Sequence, residues 1–144
     1  MIYLDSCALV KLVLSEKETA ALDRFLSQRR SEMITSELAL TEVIRVVRRS
    51  CYSDQRELTV DSTVLHDRLA LTADLLDRVD LIAVNRDRLI KAATFTNDPF
   101  VGTLDAIHLV SAQLIQTALK AFITYDKALS RAATQAGLPV VQPT

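Results

Sequence analysis

The stretch Met1-Ile2-Tyr3-Leu4-Asp5-Ser6 constrains the fold more than any other part of the chain. Ile2, Tyr3 and Leu4 are strand formers with no polar residue among them, as in a central strand of a parallel sheet covered on both faces. Asp5 falls where the strand runs out. Ser6 is placed to cap a helix that begins at once with Cys7-Ala8-Leu9-Val10-Lys11-Leu12. In open α/β sheets, ligands sit just beyond the carboxyl ends of the strands. An acid at that point is placed to act on something, although a simple cap or turn residue would look the same.

The rest of the chain repeats the pattern of short apolar run followed by helix. Glu18 to Arg30 carries Ala21, Leu22, Phe25 and Leu26 at helical spacing. Met33-Ile34-Thr35 reads as a second strand, with Ser36 as the N-cap of a helix from Glu37 to about Arg49. The apolar stripe of that helix is Leu40, Val43, Ile44 and Val47, and at ~100° per residue Glu42 lies roughly opposite it. Cys51 to Glu57 is polar and reads as a turn, and helical periodicity resumes from Thr59 to Asp77. Asp80 to Val84 is a third strand, followed by Asn85 as a cap and a helix from Arg86 to about Thr96. The segment 97–102 is a loop, since Pro99 removes a donor and Gly102 permits special dihedrals. Thr103 is placed to cap the helix Leu104–Ile115, which is apolar almost all round and therefore buried. Ala121 to Thr124 is a fourth strand ending at Tyr125-Asp126. A helix from Lys127 to Gln135 follows, with Gly137 just past its end, and Val140-Val141 forms a last edge strand. The alternation predicts one domain over residues 1–144, a three-layer αβα sandwich around a parallel sheet of four to five short strands.

Composition narrows the function. At 144 residues the chain can bury roughly two thirds of its unfolded surface. Only 2 glycines and 3 prolines argue against an all-β fold with many tight turns. Cys7 and Cys51 lack metal or disulfide spacing and fit a reducing cytoplasm as small apolar side chains. No basic region precedes the apolar start, so no signal peptide is expected, and no uncharged run approaches the ~20 residues of a membrane span. A net charge of −1 means that a phosphate-bearing partner needs a local basic patch or a metal as intermediary.

Four carboxylates occupy comparable places. Asp5 and Asp126 each follow a buried strand, Asp105 opens a buried helix, and Glu42 rides a helix away from its apolar stripe. Each alone has an ordinary structural reading as cap or solvated charge. If the strands of Asp5 and Asp126 are neighbours, right-handed crossovers put both on one rim. Converging carboxylates repel unless a cation sits between them, and hard oxygen ligands select Mg²⁺ or Mn²⁺. Such sites serve phosphodiester cleavage. Ser6 and Thr124 flank two of the acids, and His108, one turn after Asp105, reads as a hydrogen-bonded core histidine rather than a base. Arg45, Arg48 and Arg49, joined by Arg29 and Arg30 if the fold brings these close, could bind RNA phosphates or form a solvated face.

At these residues the chain resembles the PIN-domain ribonucleases, and among them the small VapC-type toxins of bacterial toxin–antitoxin pairs. The matching pieces are Ile-Tyr-Leu-Asp5-Ser6-Cys-Ala-Leu-Val-Lys-Leu, Ile-Thr-Ser-Glu-Leu-Ala-Leu-Thr-Glu42-Val, Thr-Leu-Asp105-Ala-Ile-His-Leu-Val-Ser-Ala and Phe-Ile-Thr-Tyr-Asp126-Lys-Ala-Leu. They span essentially the whole chain in order. The resemblance implies that Asp5, Glu42, Asp105 and Asp126 hold Mg²⁺ or Mn²⁺ and cleave RNA, with Ser6 and Thr124 around them. It also implies a homodimer and a cognate VapB-type antitoxin covering the active site. Cys7 departs from the family pattern, where Ser or Thr is more usual. The competing reading is a PIN-like module that binds RNA or protein without cutting. A Rossmann nucleotide site is excluded, since Ser6 to Leu12 contains no glycine.

Overall fold

The apolar start of the chain becomes the central strand of a parallel sheet in the computed structural model, which describes residues 1–144. Strand β1 (Ile2–Leu4) lies between β2 (Met33–Ser36) and β4 (Ala121–Ile123), with β3 (Asp80–Ile82) and β5 (Val140–Val141) at the edges. The order is β3-β2-β1-β4-β5 and every pairing is parallel. Seven helices supply the crossovers: α1 (Ser6–Leu14), α2 (Thr19–Arg29), α3 (Leu38–Arg49), α4 (Ser62–Leu76), α5 (Arg86–Ala92), α6 (Thr103–Gln113) and α7 (Lys127–Gln135). This is the expected αβα sandwich. No helix is long and apolar enough to cross a membrane.

The period of two along each strand divides the core into two layers. Ile2, Leu4, Ala121 and Ile123 pack with residues of α1, α2, α3 and α4. Tyr3 and Phe122 point the other way, onto Leu109 and Ala112 of α6 and Leu129, Ala132 and Ala133 of α7. Ile2, Leu4, Phe122 and Ile123 are completely buried, and each contributes about 1.5–3 kcal/mol of transfer free energy. The register sets Leu4 opposite Ile123, so β1 and β4 end together and Asp5 follows at the level of Thr124.

The details depart from expectation where side chains rather than periodicity decide. Asp5, not Ser6, caps α1: its Oδ1 accepts from the Ala8 amide at 2.8 Å, and Ser6 is the first helical residue. Gly102, not Thr103, sits at the cap of α6. Its φ is −57°, so no special dihedral is needed there. The glycine matters by proximity instead, because a Cβ would lie 3.0 Å from Asp105 Oδ2 and crowd that carboxylate. Ser36 precedes the cap position of α3, although its Oγ accepts from the Leu38 amide. Several helices are shorter than their periodic runs, starting at Thr19 and Ser62 and closing at Ala92.

Helix α3 is rotated from its sequence stripe. Ala39, Val43 and Val47 are fully buried, whereas Leu40 and Ile44 are 37% and 38% exposed. The buried centre has turned by roughly 50°, which brings Glu42 from the far side of the helix to about 100° from that centre. The cause is the seat of α3 against both α1 and α4, where the small Ala39 allows close approach.

Candidate active site

Asp5, Glu42, Asp105 and Asp126 line one pocket of about 480 Å³ beyond the carboxyl ends of β1 and β4. Four elements deliver them. Asp5 and Asp126 are the caps of α1 and α7, each holding a backbone amide three residues on at 2.8 Å. Asp105 lies in the first turn of α6, and Glu42 projects from α3 past the sheet edge.

The protein grips three of the four tightly. Thr124 Oγ1 donates to Asp5 Oδ2 at 2.5 Å and accepts from the Asp126 amide at 3.1 Å, so one hydroxyl fixes two acids relative to each other. The Cys7 thiol lies 3.0 Å from both Asp5 oxygens, and its Sγ accepts from the Tyr125 amide at 3.2 Å. Ser6 Oγ donates to Glu42 Oε2, which also lies 2.9 Å from His108 Nε2. Asp105 alone receives no hydrogen bond from any protein group; it faces the pocket free.

His108 is buried, as expected of a core histidine, yet it belongs to the site. Tyr3 Oη lies 2.7 Å from its Nδ1. Burial, with the charge of Asp5 second, pushes the Tyr3 pKa far up, so the hydroxyl stays protonated and donates to Nδ1. The ring proton is then on Nε2, and it donates to Glu42. Ser6 Oγ sits 3.3 Å from the same Nε2. In a Ser–His–carboxylate triad the nucleophile and the carboxylate take opposite ring nitrogens. Here both lie at Nε2, so the trio does not fit a serine hydrolase.

Burial raises the Asp5 pKa, although hydrogen bonds from Cys7, Thr124 and Ala8 oppose it. For Glu42 burial is outweighed by the hydrogen bonds from His108 and Ser6, and its pKa falls. Asp105 is raised by burial and then by Asp126, with Asp5 and Glu42 adding to the repulsion and His108 opposing it. Cys7 is pushed up to about 12 by burial and by Asp5, which makes the thiol a donor and a poor nucleophile.

A wall of the pocket comes from Lys11, which is 9% exposed. Its Nζ lies 2.6 Å from Glu16 and 2.8 Å from Glu18, and 4.8 Å over the Tyr125 ring. Arg45, Arg48 and Arg49 line a separate, neighbouring groove. Arg29 and Arg30 line neither; Arg29 lies over the Phe25 ring at 3.8 Å.

Sequence reasoning missed Cys7, Tyr3 and Lys11 as parts of the site, and favoured a core histidine over a base at His108. The available signals were position: Cys7 and Tyr3 flank Asp5 at two residues, and His108 follows Asp105 by one helical turn. As the side chains stand, no three His, Cys, Asp or Glu groups converge enough to grip an ion. The donor set fits a hard divalent cation by its chemistry, four carboxylates with the only imidazole already engaged, rather than by a preformed cage.

A family model described as PIN domain matches residues 2–135. Ribonuclease VapC35 of Mycobacterium tuberculosis (strain ATCC 25618 / H37Rv) is 38% identical over 146 aligned positions, covering 99% of this chain and 97% of that protein. Ribonuclease VapC46 of the same strain is 37% identical over 144 positions, covering 99% and 98%. Ribonuclease VapC47 of strain CDC 1551 / Oshkosh is 33% identical, with 99% and 97% covered. Among solved structures, a chain from "Structure of FitAB bound to IR36 DNA fragment" superposes with a TM-score of 0.64 at 16% identity, covering 99% of this chain and 95% of that one. That last likeness bears on the fold alone.

Proposed function

The chain belongs to the PIN-domain family, and from that premise we propose that it is a VapC-type endoribonuclease, the toxin of a toxin–antitoxin pair. The observation that carries the reading is the delivery of Asp5, Glu42, Asp105 and Asp126 from four elements into one pocket at the carboxyl edge of the sheet. Asp5, Glu42, Asp105 and Asp126 are the catalytic, metal-holding residues of this reading, and Mg²⁺ or Mn²⁺ the cofactor. A bound cation would offset the clustered charge and supply Lewis-acid polarisation of the phosphodiester.

The chain's own residues do the positioning. Thr124, Cys7 and the Ala8 amide hold Asp5 in one orientation. His108, itself oriented by Tyr3, and Ser6 keep Glu42 ionised and turned to the pocket. Asp105 has both oxygens available. RNA is the substrate, a cognate VapB-type antitoxin the partner that covers the pocket, and a homodimer the working form, in the cytoplasm. The four acids together favour this over a module that binds without cutting, since a purely binding site gains nothing from their mutual repulsion.

The test is incubation with a pool of structured RNAs in Mg²⁺, in Mn²⁺ and in chelator. Cleavage should appear only with metal and leave 5′-phosphate and 3′-hydroxyl ends, because water attacks and the 3′-oxygen leaves. Cleavage that persists in chelator would overturn the metal role, and cyclic phosphate ends would implicate the 2′-hydroxyl as nucleophile.

A further inference from the structure

Glu42, Arg45, Val46 and Arg49 are spaced i, i+3, i+4, i+7 and so form one stripe along α3. The stripe starts in the acid pocket and ends in a second, open groove of about 1040 Å³. Val46, 46% exposed, lines both and is where they join. Past it the groove is walled by Arg45, Arg48, Arg49 and Arg56, with Asp54 as its one carboxylate and Tyr52 half exposed.

The charge there is out of keeping with the molecule. Four arginines face one acid in a chain of net charge −1. None of the four is ion-paired with any carboxylate in the protein. Cations at a helix C-terminus are ordinary, and that accounts for Arg48 and Arg49 in the last turn of α3. It does not account for Arg45, a turn earlier, or for Arg56 in the following loop. Like charges gathered without partners repel, and an anionic ligand relieves that.

We propose that this groove binds the single-stranded flank of the RNA whose scissile phosphate lies in the acid pocket, with its arginines on successive phosphates and a base stacked on Tyr52. The inference rests on the nuclease reading and names the form of its substrate. Glu42 to Arg49 spans about 10 Å of helix, which is roughly three nucleotides at the ~3.4 Å rise of a stacked strand. Stacking on an aromatic ring beside a basic groove is how proteins hold single strands without reading sequence. An open groove with one aromatic platform suits an unpaired strand, whose bases are free to stack, better than a duplex.

Binding is measured in chelator, so that cleavage plays no part. The probes are an unstructured 12-nucleotide RNA, a 12-base-pair RNA duplex and a 12-residue polyglutamate peptide, each fluorescein-labelled, at 50 to 200 mM salt. The single strand should bind tightest. The triple variant Arg48→Gln, Arg49→Gln, Arg56→Gln should make its log–log salt slope shallower by about 0.7 per lost contact, about 2 in all. Tyr52→Leu should weaken binding about 5- to 100-fold with the slope unchanged. Should the triple variant fold poorly, Arg56→Gln alone lies outside any helix and should still remove about 0.7 from the slope. With metal restored, a dinucleotide, whose one phosphate is the scissile one, should be cut equally by the Arg56→Gln variant and wild type, while KM for the 12-mer rises in the variant. An unchanged slope and KM overturn the proposal, as does preference for the duplex or the peptide. Binding as predicted with no cleavage of any RNA would sink the nuclease reading and leave the groove standing.

Discussion

One hydroxyl decides which way the proton of His108 points. Tyr3→Phe keeps the ring stacked on Phe122 at 5.1 Å but leaves His108 Nδ1 buried without a donor, at a cost of about 1–3 kcal/mol. The tautomer that donates to Glu42 is then no longer enforced. A fall in kcat of roughly 10- to 100-fold is expected if Glu42 holds the metal as proposed, in line with the loss of an orienting partner behind a ligand, with KM unchanged. A melt that drops while kcat stays at the wild-type value would make Tyr3 purely structural. Gly102→Ala works through contact rather than bonding. Its backbone angles suit alanine, so stability should change by less than ~0.5 kcal/mol. The new Cβ 3.0 Å from Asp105 Oδ2 should displace that carboxylate, which nothing else holds, and calorimetry should show weaker Mn²⁺ binding. Unaltered Mn²⁺ affinity would remove Asp105 from the ligand set.

The turn between α1 and α2 is tied to the pocket wall as a unit. Thr19 Oγ1 donates to the Lys11 carbonyl at 2.7 Å and accepts from the Glu16 amide at 2.8 Å, while Lys11 itself bridges Glu16, Glu18 and the Tyr125 ring. Burial alone would lower the Lys11 pKa, but the hydrogen bonds it donates to Glu16 and Glu18 outweigh it and the ammonium is held above its ordinary value. A raised lysine contributes its stability in full below the unfolded value of ~10.4 and loses it as pH climbs through the folded value. Lys11→Met should therefore cost about 1–3 kcal/mol at pH 7, and the gap to wild type should begin to narrow above about pH 10.4, so that it is smaller at pH 11 than at pH 7. Urea unfolding of both proteins at pH 7 and pH 11 reads this directly. A gap as wide at pH 11 would assign the effect to packing of the side chain and not to its charge.

Across the whole molecule the acids act together, and their repulsion is a property of the fold. Asp105→Asn keeps shape and removes one charge. In chelator the variant should melt as high as wild type, or higher by the equivalent of ~1 kcal/mol, because Asp126, Asp5 and Glu42 no longer oppose it. With Mn²⁺ the order should reverse, since wild type gains about 2.7 kcal/mol at a hundredfold excess over Kd and the variant gains less. RNA cleavage should fall at least roughly a hundredfold. Four melts suffice. Equal destabilisation with and without Mn²⁺ would make Asp105 a structural residue.

Sequence alone determined the layer architecture and the parallel sheet, because apolar runs and helical periodicity are local and each strand had to be covered on both faces. It also determined that Asp5 and Asp126 would end strands, since a carboxylate after a buried run marks where burial stops. The tertiary structure decided the rest. The pairing of β1 with β4 placed Thr124 where it could bond both Asp5 and the Asp126 amide, a contact across 119 residues that no spacing encodes. The seat of α3 between α1 and α4 turned Glu42 toward the pocket, against its own apolar stripe, because close packing at Ala39 outweighed the burial of Leu40 and Ile44. His108 and Glu42 come from helices on opposite faces of the sheet and meet only past its edge, where strands too short to separate them let the two layers touch.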